Sequence, residues 1–130
     1  MLQITKDYIP VNKYSRAGLK LKAKRGIVMH YTALPGASAE NISKYFASLA
    51  QQVGTGRYAS AHYSVDRTSI YNSLPDDELA YHCGSETYTK EALIQLGTYP
   101  NNSTVGIEMC IEKDGSIHEN TFKRSCCISD

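Results

Sequence analysis

Two histidines and one glutamate have the types and settings that suit chemistry. His30 ends the apolar run of "GIVMHYT", just before the turn residues of "LPGAS". A strand end fixes an imidazole well, and a neutral ring nitrogen is a good zinc ligand. The competing reading is a hydrogen-bonded core histidine, which an imidazole after an apolar run more often is. Glu108 is the sharper signal, because it interrupts "VGIEMCI", the most apolar strand pattern of the chain. Carboxylates are rarely buried without a partner. Gly106 removes bulk on the same strand face and leaves room for a ligand. A buried ion pair with an arginine or lysine is the alternative. Without one, desolvation raises the pKa of the carboxyl and suits it to proton transfer near neutral pH. His82, in "AYHCG", runs into a glycine, where backbone can approach a ligand closely.

The remaining candidates are weaker. His62 lies mid-strand between Ala61 and Tyr63, and His118 follows the turn "KDGS" at a helix start, where it reads as a surface residue. Cys83, Cys110, Cys126 and Cys127 form no CxxC pair, so neither a zinc knuckle nor a redox motif is indicated. Free thiols are the expectation, with a Cys83–Cys110 disulfide as the alternative. A Cys83 nucleophile with a histidine base is chemically conceivable, but nothing near it in sequence lowers the thiol pKa.

The elements that would position these residues alternate between strand and helix periods. "GLKLKAK" sets Leu19, Leu21 and Ala23 against Lys20, Lys22 and Lys24, the period of two of a strand with one wet face. "GIVMHYT" reads as a buried strand. Ser38 is placed to cap a helix with Glu40 in its first turn, and Ile42, Tyr45, Phe46, Leu49 and Ala50 follow the helical stripe. "SAHYSVD" and "IYNSL", joined by "DRTS", read as a hairpin, and "ELAYHCG" as a short strand. "TYTKEALIQLG" is a brief helix that Gly97 can end. Val105, Ile107, Met109 and Ile111 share one face of the next strand, and "ENTFKRS" begins a helix. The expected architecture is α/β: a mixed central sheet flanked by helices.

Composition bounds the rest. The 130 residues are 42% hydrophobic and 21% charged, the proportions of one globular domain. A net charge of +1 does not favour nucleic acid. Six of the 14 basic residues fall in the 13 positions from Lys13 to Arg25. Those charges suit a solvated edge strand or a weak attraction to an anionic polymer such as a bacterial wall. No apolar run is long enough to span a membrane, and "MLQITKDYIPVNK" lacks a signal-peptide core. Membrane insertion is therefore not expected, and the location implied is cytoplasmic until release to the wall.

"IVMHYT", "SAHYSVD", "AYHCG" and "STVGIEMC" occur in that order, with a capped helix between the first two. This ordered set resembles the zinc-dependent type 2 N-acetylmuramoyl-L-alanine amidases of bacilli and their phages, within the peptidoglycan recognition protein superfamily. The likeness runs from about Ile4 to Arg124. It implies His30 as a Zn2+ ligand, Glu108 as the catalytic carboxylate and His82 lining the groove for the muramyl peptide. His62 matches a recurrent histidine that is not a ligand. The implied reaction cleaves the bond between N-acetylmuramic acid and L-alanine in peptidoglycan. The alternative is a peptidoglycan-binding module without hydrolysis.

Members of that family continue through a full helix into a loop bearing a second histidine and a cysteine ligand, whereas no histidine follows His118 here. The resemblance thus implies a single partial domain over 1–130, cut near Ser125, without its last helix and zinc loop. Cys126, Cys127, Ile128 and Ser129 are poor helix formers. Cys126 or Cys127 as a substitute ligand is an alternative. Exposed apolar surface, with self-association, is a further expectation.

Overall fold

The computed structural model describes residues 2–84 and 87–128. Its elements in chain order are β1 (Thr5–Lys6), β2 (Gly26–Tyr31), α1 (Ala39–Ser48), β3 (Tyr63–Val65), β4 (Ile70–Asn72), α2 (Lys90–Leu96), β5 (Thr104–Met109) and α3 (Glu119–Ile128). Single turns of 3₁₀ helix follow α1, at Leu49–Gln51, and precede β5, at Pro100–Asn102. The strands form one mixed sheet in the order β1–β4–β3–β5–β2. Only β3 and β4 run antiparallel; the other three pairs are parallel.

Local chemistry explains most of these elements. The Ser38 hydroxyl accepts from the Asn41 N–H at 3.1 Å, and the Asn41 side chain accepts from the Ser38 N–H at 3.1 Å, a reciprocal cap. The stripe behind it buries Ile42, Phe46 and Leu49 against Ala61, Leu74 and Cys110. The expected hairpin forms, and Asp66 closes it: Oδ1 accepts from the Thr68 and Ser69 N–H groups at 2.8 and 2.7 Å. Its Oδ2 accepts from the Ala39 N–H at 2.8 Å, so the same side chain ties the hairpin to the start of α1. α2 begins at Thr89, whose hydroxyl accepts from the Ala92 N–H, and ends at Gly97, which takes the positive φ of 89°.

The two faces of the sheet are covered differently. α1 lies over β3 and β4 on the face that carries Ser64, Glu108 and Cys110. α3 lies over β3 and β5 on the other face, where Ile128 and Leu2 join Tyr63, Val65, Ile70 and Ile107.

Four expectations require correction. "GLKLKAK" is not a strand; one bridge joins Lys20 to Glu78, and the next backbone bonds go to other partners, Lys22 N–H to Asn102 C=O and Arg25 N–H to Ser103 C=O. Its alternation is real, but Leu19 is 59% exposed, so no apolar face is buried to hold a ladder. "ELAYHCG" is likewise extended without a ladder. β2 is not a buried strand but the sheet edge, with Ile27, Met29 and Tyr31 exposed. Finally, the tail continues as helix through Cys126 and Cys127 to Ile128; Ser129 lies outside the described residues. Packing of Ile128 and burial of Thr121 and Ser125 outweigh weak intrinsic propensity there.

Candidate active site

β2 pairs with β5 in a register that sets His30 beside Glu108 and Val28 beside Gly106. Paired residues of a parallel ladder project to the same side, and side chains two apart share a face. His30, Gly106 and Glu108 therefore face the same side, between α1 and α2. A Cβ added at Gly106 would stand 2.5 Å from Cγ of His82. The His82 ring lies directly on the Gly106 backbone, which only glycine permits. That places His30 Nε2 3.0 Å from His82 Nδ1, and Cys83 Sγ 3.2 Å from the same Nδ1. One ligand atom from each of His30, His82 and Cys83 lies within 4.8 Å of the other two.

The segment carrying His82 and Cys83 has no strand partner, so other groups must hold it. The buried Asn101 side chain supplies one: its Oδ1 accepts from the Cys83 N–H at 2.9 Å and the His82 N–H at 3.3 Å. Tyr81 is fixed on the other side, its C=O accepting from the Ser60 N–H and its N–H donating to the Ser60 hydroxyl.

Hydrogen bonding also sets the tautomer of His82. The Thr104 hydroxyl donates to the Pro100 C=O at 2.7 Å, so toward His82 Nε2, 3.0 Å away, it can only accept. Nε2 therefore carries the proton, and Nδ1 presents a lone pair to His30 and Cys83. Burial, then the neighbouring His30 and His62 rings, push the His82 pKa down to about 3. Burial lowers that of His30 as well. Both rings are thus neutral, the form that ligates metals. Burial raises the Cys83 thiol, which stays protonated unless a cation draws the thiolate out.

The Glu108 carboxyl is pushed up to about 7 by burial, partly offset by the charge of Arg57. Among the described residues it has no ion pair or hydrogen-bond partner, so the buried-pair alternative is not what the fold adopts. It looks into a cavity of about 350 Å³ whose lining includes Leu34, Ile42, Tyr45, Phe46 and Arg57. On the α2 side, His30, His82 and Cys83 line a second cavity of about 450 Å³ with Val28, Ala92 and Leu96.

The other histidines stay outside this group. His62 is fully buried: its Nδ1 accepts from the Gly106 N–H at 2.9 Å and its Nε2 donates to the Glu78 C=O at 2.7 Å. His118 Nδ1 accepts from the Asn120 N–H at the start of α3. Cys126 and Cys127 lie on α3, across the sheet from His30, and do not serve as substitute ligands. Cys83 and Cys110 are free, so the alternative Cys83–Cys110 disulfide does not form. Sequence reasoning singled out His30, His82 and Glu108, but with His82 as a groove residue for the peptide, whereas the structure sets its ring against His30 and Cys83. It missed Cys83 as a donor, Asn101 and Thr104 as supports, and Arg57 altogether. The adjacent His-Cys pair before a glycine was the available signal for Cys83.

Comparison with known proteins identifies the family over the same stretch of chain. The Amidase_2 family, described as N-acetylmuramoyl-L-alanine amidase, matches residues 20–125, a span holding every strand but β1, and this chain belongs to that family. It is 43% identical over 125 residues to a probable N-acetylmuramoyl-L-alanine amidase of Bacillus licheniformis. It is 42% identical over 131 residues to the N-acetylmuramoyl-L-alanine amidase BlyA of Bacillus subtilis (strain 168). Each alignment covers 96% of this chain and 34% of the relative, so the chain spans about a third of the length of these curated relatives. Among solved structures, PlyL superposes with a TM-score of 0.72 at 21% identity, over 98% of this chain and 70% of that one, a likeness of fold alone. A mutant endolysin from Bacillus subtilis gives 0.67 at 29% identity, over 90% and 66%.

Proposed function

We propose that this chain hydrolyses the amide between N-acetylmuramic acid and L-alanine in bacterial peptidoglycan, with zinc held by His30, His82 and Cys83 and with Glu108 transferring the proton. One observation carries the reading. An unpartnered carboxyl with a pKa of about 7 shares a sheet face with two neutral imidazoles and a thiol grouped within 4.8 Å.

The donor set fits zinc in kind, with two nitrogens and a sulfur. It also fits in support, because Thr104 fixes His82 with the Nδ1 lone pair inward. The separations of 3.0 and 3.2 Å fall short of the ~3.3–3.6 Å that tetrahedral ligation implies, a difference small side-chain rotations supply. Zinc bound there would supply Lewis acidity toward the amide carbonyl and toward water. Glu108, half in its carboxylate form near neutrality, accepts a proton from the attacking water and returns it to the departing amine of L-alanine. The apolar walls from Ile42, Phe46 and Leu96 exclude water from around that transfer.

The exposed stripe of Ile27, Met29 and Tyr31 on the open sheet edge supports self-association as well. Sedimentation showing one monomeric species at all concentrations would remove that part.

The functional test pairs metal content with product chemistry. About one zinc per chain, new L-alanine amino termini from purified walls, and loss of both on chelation are expected. Chains that sediment with walls yet release no amino termini at full zinc loading would leave a binding module instead.

A further inference from the structure

Proton transfer alone does not account for the cavity on the α1 side of Glu108. Its walls are apolar and aromatic, from Leu34, Ile42, Tyr45 and Phe46, and Arg57 is the cation in its lining. Arg57 is held in place. Its Nη1 donates to the Tyr45 hydroxyl at 2.8 Å, and its guanidinium stands 5.8 Å from the Tyr45 ring centroid. Its backbone is clamped by Gln52, whose Oε1 accepts from the Arg57 N–H at 2.7 Å and whose Nε2 donates to the Arg57 C=O at 2.9 Å. Yet among the described residues no carboxylate lies within ion-pair distance of it. Thr32, in the same lining, has a buried hydroxyl without a hydrogen-bond partner. The cavity around His30, His82 and Cys83 has no cation in its lining. Charge therefore distinguishes the two flanks.

An oriented guanidinium with most of its N–H groups unused is a preformed receptor for a carboxylate, which it can grip through two parallel bonds. Because Glu108 belongs to the same cavity, whatever fills it continues directly from the scissile amide. The lining asks for a short aliphatic stem that ends in negative charge. We infer that Arg57 binds a free carboxylate of the stem peptide next to the cleaved bond and so selects acidic over amidated muramoyl peptides. The inference rests on the amidase reading only for what the peptide is attached to.

The test uses muramoyl-L-alanyl peptides identical except for a carboxylate or a carboxamide on the second or third residue. Titration calorimetry in the Glu108→Gln protein measures binding without turnover. Roughly tenfold tighter binding of the acid form is expected. In the double variant with Arg57→Gln the acid form should fall to the affinity of the amide, which itself stays unchanged. Arg57→Lys should recover part of the preference, since it restores charge without the fork. A melting temperature for Arg57→Gln equal to its parent's keeps the comparison clean. Equal binding of acid and amide, a preference that survives Arg57→Gln, or binding of neither overturns the assignment. Wild-type kinetics separate the two readings. An Arg57-dependent preference without cleavage defeats the hydrolase and keeps the receptor; cleavage with no preference does the reverse.

Discussion

His62 and His82 sit with ring centroids 5.9 Å apart, and burial lowers the pKa of both. Their surroundings nevertheless assign them opposite tasks. His62 has a backbone partner for each nitrogen, Gly106 N–H on one side and Glu78 C=O on the other, and so ties β5 to the segment before Leu79. His82 commits only Nε2, to Thr104, and leaves Nδ1 facing two other donors. Burial does not tell a structural histidine from a reactive one. What distinguishes them is whether the second nitrogen already has a partner.

The largest expected effect lies at the reactive end. Glu108→Gln should lower amide hydrolysis by roughly 10²–10⁴-fold, the usual worth of a positioned acid–base group, while zinc content stays unchanged. Parallel loss of zinc would mean that Glu108 belongs to the metal-binding group and would blur the contrast.

Next comes the structural histidine. His62→Ala leaves the Gly106 N–H and the Glu78 C=O unpaired in a buried site and opens a void between them. A loss of about 3–5 kcal/mol in denaturant unfolding is expected, a large part of a typical domain's stability. A variant that unfolds like wild type would break the comparison outright.

Thr104→Val tests the orienting hydroxyl. Without it nothing fixes the His82 tautomer, and zinc affinity should fall about 10–100-fold in competition with a chelator, with little change in melting temperature.

The smallest effect is a pH dependence of stability in metal-free protein. Glu108 titrates near 7 when folded and near 4.5 otherwise, so the folded state holds the extra proton between those values. Stability falls as pH rises through that window. His82 has the opposite sign: from its ordinary 6.5 down to about 3 the unfolded state binds the extra proton, and stability falls as pH drops. Glu108→Gln removes the first slope alone. Relative to wild type it should gain about 1–2 kcal/mol between pH 4.5 and 7, after discounting for the open cavity, and nothing below. A difference that does not vary with pH would mean that the carboxyl is not desolvated.

Legibility in the sequence followed how local the cause was. Ser38, the Ile42–Phe46–Leu49 stripe, the turn at Asp66 and the Gly97 stop are set by neighbours within a few residues, and the structure has each as read. Glu108 stood out because a carboxyl in an apolar strand is anomalous in any fold. "GLKLKAK" misled because alternation specifies a strand only if a continuous partner and a buried face exist, and here the pairing stops at one bridge and Leu19 is exposed. Arg57 was invisible for a different reason: its place beside Glu108 comes from the course of a loop far away in sequence, which no short window contains. Cys83 was weighed only as a nucleophile, because its approach to His30 depends on the β2–β5 register.

The attachment of His82 and Cys83 through the Asn101 amide has a kinetic consequence. A segment held by Asn101, Ser60 and Thr104 rather than by a ladder can lift away while the ladders beneath it stay shut, so its amide hydrogens should exchange by local opening well before those of β3 and β5. Ion uptake and release could then proceed through brief excursions of a few residues, at rates unrelated to how slowly the whole domain melts.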